Sequence, residues 1–271
     1  MIVFSNCHGE KYLKLIKEYT NVYSEFNVKY IVSYNALSDF SKYISDFRNA
    51  DLVIMNNIKN YTPLNISNLR TILKQTAKII IIPYVRFNGY WFPEEHRILH
   101  KIRDNSVSYF PNIYLQRVDQ YLDIHLSEES VKINFDQSMS KLKSIESECD
   151  LEFYDFKTNH INYPMFRDAN HPTSNLINYL VKQIICKLGL LFPELIIQPF
   201  DIELSDKTYE YGHYKPITSS LVKIIDLTYD LDAVFITTRK QFLLNIINYE
   251  SNFGNRIIKD LDDMKVTIFN E

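Results

Sequence analysis

Apolar positions in the first eighty residues switch repeatedly between two spacings, and that switching predicts most of the fold. The chain opens on a short apolar run, Met1-Ile2-Val3-Phe4, which breaks at Ser5-Asn6-Cys7-His8-Gly9. It resumes at Tyr12, Leu13, Leu15, Ile16 and Tyr19, offsets that predict an amphipathic helix over residues 9–20. Residues 28–32 then read as a strand, 37–47 as a helix and 51–55 as a third strand. A proline turn at Pro63 precedes helical spacing over 66–75, and the β-branched run at 78–83 supplies a fourth strand. Strands alternating with helices imply βαβ units and a parallel sheet, whose sites lie at the carboxyl ends of its strands. The expected class is therefore α/β, a parallel sheet with flanking helices in the N-terminal part and a helix-rich C-terminal half. On such a sheet residues 5–8, 56–57 and 84–90 fall on one edge.

Beyond the fourth strand the pattern changes. Tyr84 to Pro93 form an aromatic loop with Arg86, Phe87, Gly89, Tyr90 and Trp91. Residues 94–103 look helical, 104–126 mixed, 127–147 helical with a polar face, and 150–159 a short helix. A strongly periodic helix runs from Leu176 through Leu180 and Ile184 to Leu188, with Pro172 before it and Gly189 marking its expected end. After Phe192 the sequence is less regular: 196–204 reads as extended, 209–216 as a tyrosine-rich loop, 219–227 as helix and 233–236 as a strand or helix. Residues 1–192 are thus expected to form one α/β domain, with 193–271 either an extension packed on it or continuous with it.

Composition narrows the function classes. A chain of 271 residues with 46% hydrophobic content can bury a sizeable core. Its net charge of −3 argues against a general electrostatic grip on nucleic acid. No apolar run reaches the roughly 18 residues a membrane span needs, and Met1 opens into a strand without a basic leader. Cys7, Cys149 and Cys186 make an odd count with no CxxC pair, which fits a reducing cytoplasm. Neither GxGxxG nor GxxxxGK occurs, so the common phosphate cradles are not expected.

Candidate chemistry sits at two breaks in the pattern. Cys7 lies in the turn between the first strand and its helix, where unpaired N–H groups, the helix dipole and the neighbouring His8 favour a thiolate. The plainer alternative is a small buried hydrophobe beside two ordinary capping residues, Ser5 and Asn6. The second break is Phe166-Arg167-Asp168-Ala169-Asn170-His171-Pro172-Thr173, where Asp168 and His171 have a spacing that lets a carboxylate orient an imidazole. Its plainer alternative is a capping cluster with an incidental histidine. The aromatic loop with Arg86 either stacks a sugar or adenine or simply covers the core. His96 and His100 lie four apart but lack the H-E-x-x-H order and a third ligand, so no metal site is expected.

Three of these segments, Asn6-Cys7 after the first strand, Phe87-Asn88-Gly89-Tyr90 after Ile82-Pro83, and Asn170-His171-Pro172-Thr173 opening a long helix, together resemble the WcbI-type polysaccharide biosynthesis acetyltransferases. The likeness covers roughly residues 1–190. It implies a cytoplasmic enzyme that binds coenzyme A and transfers an acetyl group from acetyl-coenzyme A to a sugar hydroxyl of a capsular or surface polysaccharide precursor. Asn6, Cys7, Phe87, Gly89, Tyr90, Asn170, His171, Pro172 and Thr173 are the matching positions. The chain departs from the family's usual Gly-Asn-Cys-Gln turn at Ser5 and His8.

A looser likeness to SGNH-type esterases places Ser5 or Cys7 as nucleophile with Asp168 and His171 as partners. The expected site therefore has Cys7, His171, Asp168 and Asn6 in catalytic roles. Ser5, His8, Arg86, Phe87, Gly89, Tyr90, Arg167, Asn170 and Thr173 are expected around the coenzyme, with Arg86 and Arg167 as phosphate partners. The competing readings are an esterase or deacetylase acting on carbohydrate esters, and a non-catalytic carbohydrate-binding or scaffold protein built on the aromatic loop.

Overall fold

The computed structural model describes residues 1–58, 65–90, 127–204, 217 and 219–227. The expected elements at 94–103, 104–126 and 233–236, the loop at 209–216, and Trp91, His96 and His100 lie outside the described residues. Four strands, β1 (Ile2–Ser5), β2 (Lys29–Val32), β3 (Leu52–Asn56) and β4 (Lys78–Ile82), form one parallel sheet in the order β2-β1-β3-β4. Its register pairs Val3 with Tyr30 on one side and with Ile54 on the other, and Asn56 with Ile82. The central strands β1 and β3 are buried at every position because helices cover both faces, which is why they read as continuous apolar runs.

One face is covered by α3 (Ser33–Ser38) and α4 (Ile44–Asn49), with α5 (Ile66–Ile72) beside them. There Phe4, Val53 and Met55 meet Ala36, Phe40, Phe47 and Leu69, with the Phe4 and Phe47 rings edge to face at 5.6 Å. The other helices of this half are α1 (Gly9–Tyr19) and α2 (Val22–Glu25). In the second half come α6 (Glu128–Glu146), α7 (Tyr154–Asn159), the short strands β5 (Phe166–Asp168) and β6 (His171–Pro172), α8 (Ser174–Leu191) and α9 (Ser219–Ile224). Helix α8 packs against α1 and buries Leu176, Ile177, Leu180, Val181, Ile184, Ile185 and Leu188.

The chain divides into two compact units. The first comprises Met1–Phe87, Met139–Phe166 and Asn170–Thr208, and the second Asn88–Ser138, Arg167–Ala169 and Tyr209–Glu271. The sheet, α1 and α8 all belong to the first.

Three elements depart from the expected pattern for local reasons. The helix expected over 37–47 is broken at Asp39, whose carboxylate accepts the Ser41 hydroxyl at 2.5 Å and pairs with Lys42. Short polar side chains compete in this way with helix hydrogen bonds, so α3 ends and a 3₁₀ turn, Phe40–Tyr43, leads into α4. Helix α8 runs through Gly189 to Leu191, and the glycine serves close approach: a Cβ there would lie 2.5 Å from Ile197 Cδ1. Residues 196–198 make only an isolated antiparallel bridge, Thr20 to Ile197, held by Gln198 N–H donating to the Tyr19 carbonyl at 2.9 Å.

Lys157 on α7 is fully buried, with its ammonium 4.1 Å from the centre of the Phe87 ring. The ring face favours the charged form, but loss of hydration is the larger effect and pulls the ammonium from 10.5 to about 7. The unfolded chain therefore holds a proton that the folded chain has released between those values. Stability should rise as pH goes from about 7 towards 10, by at most roughly 1.4 kcal/mol per unit. Below about 7 the whole penalty is present. In Lys157→Met, thermal unfolding should show a higher Tm at pH 7 and a flattened pH slope. An unchanged slope would remove this account.

Candidate active site

In a parallel sheet ordered β2-β1-β3-β4, the connection from β1 runs to β2 on one side and that from β3 runs to β4 on the other, and the crevice beyond the carboxyl ends of β1 and β3 is the switch point where α/β proteins bind ligands. Both strands end there in polar residues. Asn56, 1% exposed, accepts the Ser5 hydroxyl at 2.7 Å and the Asn6 N–H at 3.1 Å through Oδ1, while its Nδ2 donates to the Pro83 carbonyl at 3.0 Å. One amide thus ties the ends of β1, β3 and β4 together. The Ser5 hydroxyl is buried and spends its proton on this network. Of Ser5 and Cys7, only Cys7 is exposed.

The turn after β1 is shaped by its own polar groups. Asn6 Oδ1 accepts the His8 N–H at 3.1 Å, and the Asn6 carbonyl accepts the Gly9 N–H at 3.0 Å. With Oδ1 used as acceptor, the Asn6 amide can offer an oxyanion only its Nδ2 hydrogens. The Tyr30 hydroxyl, from β2, donates to the same Asn6 carbonyl at 2.5 Å. It can do so because position 9 is glycine: a Cβ there would lie 2.3 Å from Tyr30 Cε2 and 3.0 Å from the Ser5 Cβ. Burial, with Glu10, Cys7 and Tyr34 adding negative charge nearby, pushes the Tyr30 phenol up to about 12. It therefore stays a donor across the working pH range.

His171 arrives from the other end of the fold. It begins β6, and the chain is then pinned as α8 starts: the Thr173 N–H donates to the Met165 carbonyl at 2.9 Å and its hydroxyl to the Pro164 carbonyl at 2.6 Å. Asn175 Nδ2 donates to that Pro164 carbonyl as well, at 3.3 Å. These bonds fix the start of α8, the helix that packs against α1. Cys7 Sγ lies 3.8 Å from His171 Nε2, across 164 residues of sequence. The His8 ring, 5% exposed, meets the His171 ring nearly perpendicular at 79°, with centroids 5.5 Å apart. One ligand atom each from Cys7, His8 and His171 fall within 4.8 Å of one another.

This arrangement has the parts of a nucleophile and base pair. The thiol is open to solvent at the N-terminal end of α1, and an imidazole nitrogen is within reach of its proton. The same imidazole can take a proton from an incoming hydroxyl.

The remaining expected residues are placed as follows. Asn170 is exposed next to His171, and Thr173 is buried in its anchoring bonds. Phe87 is fully buried, stacked on Phe166 at 5.1 Å beneath Lys157, while Arg86 beside it is exposed. Gly89 and Tyr90 are buried in the second unit, where the Tyr90 ring lies 6.2 Å from Phe135. Arg167 and Asp168, both half-buried in β5, also belong to that unit. Asn56 falls on the sheet edge where the sequence predicts it but without an expected role, and Tyr30 is not among the expected site residues. An asparagine ending a buried strand was the available signal for the first, and nothing local marks the second.

A family model described as polysaccharide biosynthesis enzyme WcbI matches residues 1–192. Among solved structures, one described as WcbI, a novel polysaccharide biosynthesis enzyme, is similar at TM-score 0.48 and 11% identity, covering 93% of this chain and 94% of that chain. That structure is described as the native protein without a disulfide bond between coenzyme A and a cysteine. No curated protein matches the chain.

Proposed function

The chain belongs to the WcbI family of polysaccharide biosynthesis enzymes, and from that premise we propose that it transfers an acetyl group from acetyl-coenzyme A to a sugar hydroxyl of a capsular or surface polysaccharide precursor. The observation that carries the reading is the 3.8 Å approach of Cys7 Sγ to His171 Nε2 at the switch point of the sheet. In the proposed reaction His171 is the general base, taking the proton of the acceptor hydroxyl or of Cys7. Asn6 Nδ2 and N–H groups at the start of α1 stabilise the tetrahedral oxyanion. Asp168 is assigned the role of orienting His171 on its three-residue spacing and on the looser likeness to SGNH-type esterases.

Two routes are open to such a site. If Cys7 attacks, the thioester carbon exchanges the coenzyme's sulfur for Sγ, coenzyme A leaves as the thiol, and the sugar oxygen then displaces Sγ. If the sugar oxygen attacks the thioester directly, His171 takes its proton and Cys7 only borders the reacting carbon. Neither route needs a metal. The coenzyme would lie along residues 5–8 and 86–87, with exposed Arg86 as a partner for its phosphates. No described helix is long and apolar enough to cross a membrane, and a cytoplasmic location follows from the supply of acetyl-coenzyme A.

Thermal unfolding with coenzyme A and acetyl-coenzyme A tests the donor. A ligand at 100 times its Kd should add about 2.7 kcal/mol, and the gain should shrink in Arg86→Ala. An unmoved Tm with either compound would favour an esterase, which needs no coenzyme pocket.

A further inference from the structure

We infer that Cys7, His8 and His171 form a binding site for a borderline-soft divalent cation of the zinc class, with two imidazole nitrogens and one thiolate as ligands and a fourth position open to solvent. The three side chains come from two distant parts of the chain. One ligand atom from each lies within 4.8 Å of the others, and Sγ and the His171 Nε2 are 3.8 Å apart. Metal–sulfur bonds of about 2.3 Å and metal–nitrogen bonds of about 2.0–2.1 Å place tetrahedral ligand atoms roughly 3.6 Å apart for S···N and roughly 3.4 Å for N···N. The Cys7–His171 edge already has nearly that length. The remaining edges need to close by no more than about 1.4 Å, within reach of side-chain rotation.

Burial divides the three in a way that suits such a site. His8 is 5% exposed and its backbone is fixed by the Asn6 side chain, so one ligand is held from below. Cys7 is exposed and His171 half-buried, so the cation and its fourth ligand enter from solvent. A thiolate and two imidazoles select zinc or cobalt over magnesium or calcium, which want oxygen donors. The cation would take the lone pairs of Sγ and of the His171 imidazole, the same ones that the proposed acyl transfer uses. Binding would therefore inhibit that transfer, a consequence that rests on the proposed function, whereas the binding itself rests only on geometry.

Cobalt(II) titration of the full-length protein under anaerobic conditions separates the two. Thiolate ligation gives a charge-transfer band in the near ultraviolet and tetrahedral geometry gives visible bands. Both should saturate at one cobalt per chain, be displaced by zinc and be unaffected by magnesium. Cys7→Ser, His8→Gln and His171→Ala should each weaken binding by more than roughly 100-fold, since even supporting residues around a metal cost 10–100-fold. Cys186→Ser, which alters another exposed thiol, should titrate like the parent. No thiolate band in excess cobalt, or a band of parental strength in both His8→Gln and His171→Ala, would overturn the site. Failure of acetyl transfer in the metal-free, EDTA-treated protein, when the cobalt titration gives the expected bands, would instead count against the proposed function alone.

Discussion

Replacing His171 with alanine should lower kcat/KM for acetyl transfer by roughly 10²–10⁴-fold, the usual worth of a positioned general base. The companion variant, Cys7→Ala, reads out the route. If Cys7 carries the acetyl group, its loss should be as severe as that of His171, and the double variant should fall little further, because residues that act as one unit are not additive. If the sugar attacks the thioester directly, Cys7→Ala should keep much of the activity while His171→Ala does not. Intact-mass analysis after mixing with acetyl-coenzyme A supplies the independent check: an added acetyl group that vanishes in Cys7→Ala marks the covalent route. Retained transfer in His171→Ala would sink both versions, since the imidazole is the group that both require.

A second large effect is expected at Asn56, which touches no proposed substrate and acts by positioning. Asn56→Asp keeps the shape and the two accepted hydrogen bonds from Ser5 and Asn6 but sets a carboxylate oxygen against the Pro83 carbonyl in place of a donor. At 1% exposure, that buried and repelled charge should cost about 3 kcal/mol or more at neutral pH, a fall in Tm of roughly 6–12 °C. The introduced carboxyl would have its pKa raised in the folded state, so the deficit should shrink as pH falls towards 4, where its protonated form can again donate to Pro83. Activity should fall with it, because the amide that fixes the Asn6 N–H also fixes the turn presenting Cys7. A Tm loss that is the same at pH 4 and pH 7 would show that the amide's role is other than this.

How far the sequence foretells this arrangement depends on whether the cause is local. The strands and α1 are legible because β1 and β3 are apolar up to their last residues, Ser5 and Asn56, and Tyr12, Leu13 and Ile16 keep helical offsets. The break at Asp39 is not, since apolar spacing continues across it while a side-chain hydrogen bond ends the helix. Gly189 misleads in the same way: it looks like a helix end but makes room for Ile197, a contact that spacing within α8 cannot reveal.

At the site, Cys7, His8 and His171 each stand out at a break in the apolar pattern, but the approach of His8 to His171 is visible only in the fold. Asp168 is marked by its place three residues before His171, a spacing that the sequence shows directly. The approach of the Cys7 thiol to the same imidazole spans 164 residues and does not show in any local pattern. Phe87 illustrates the ambiguity of aromatic residues: the pattern allows either a stacking surface or a core ring, and this ring is fully buried between Phe166 and Lys157.

The claim at the centre, that Cys7 is a thiol activated by His171 inside a coenzyme A site, is tested most directly by alkylation. Iodoacetamide labelling at pH 7 with EDTA present, followed by peptide mass spectrometry, compares Cys7 with Cys186, which is also exposed. Cys7 should react at least about tenfold faster, as expected of a thiolate favoured by a helix N-terminus and an imidazole. That advantage should disappear in His171→Ala, and coenzyme A should slow labelling of Cys7 but not of Cys186. Equal rates at the two cysteines, untouched by coenzyme A and by loss of His171, would contradict it.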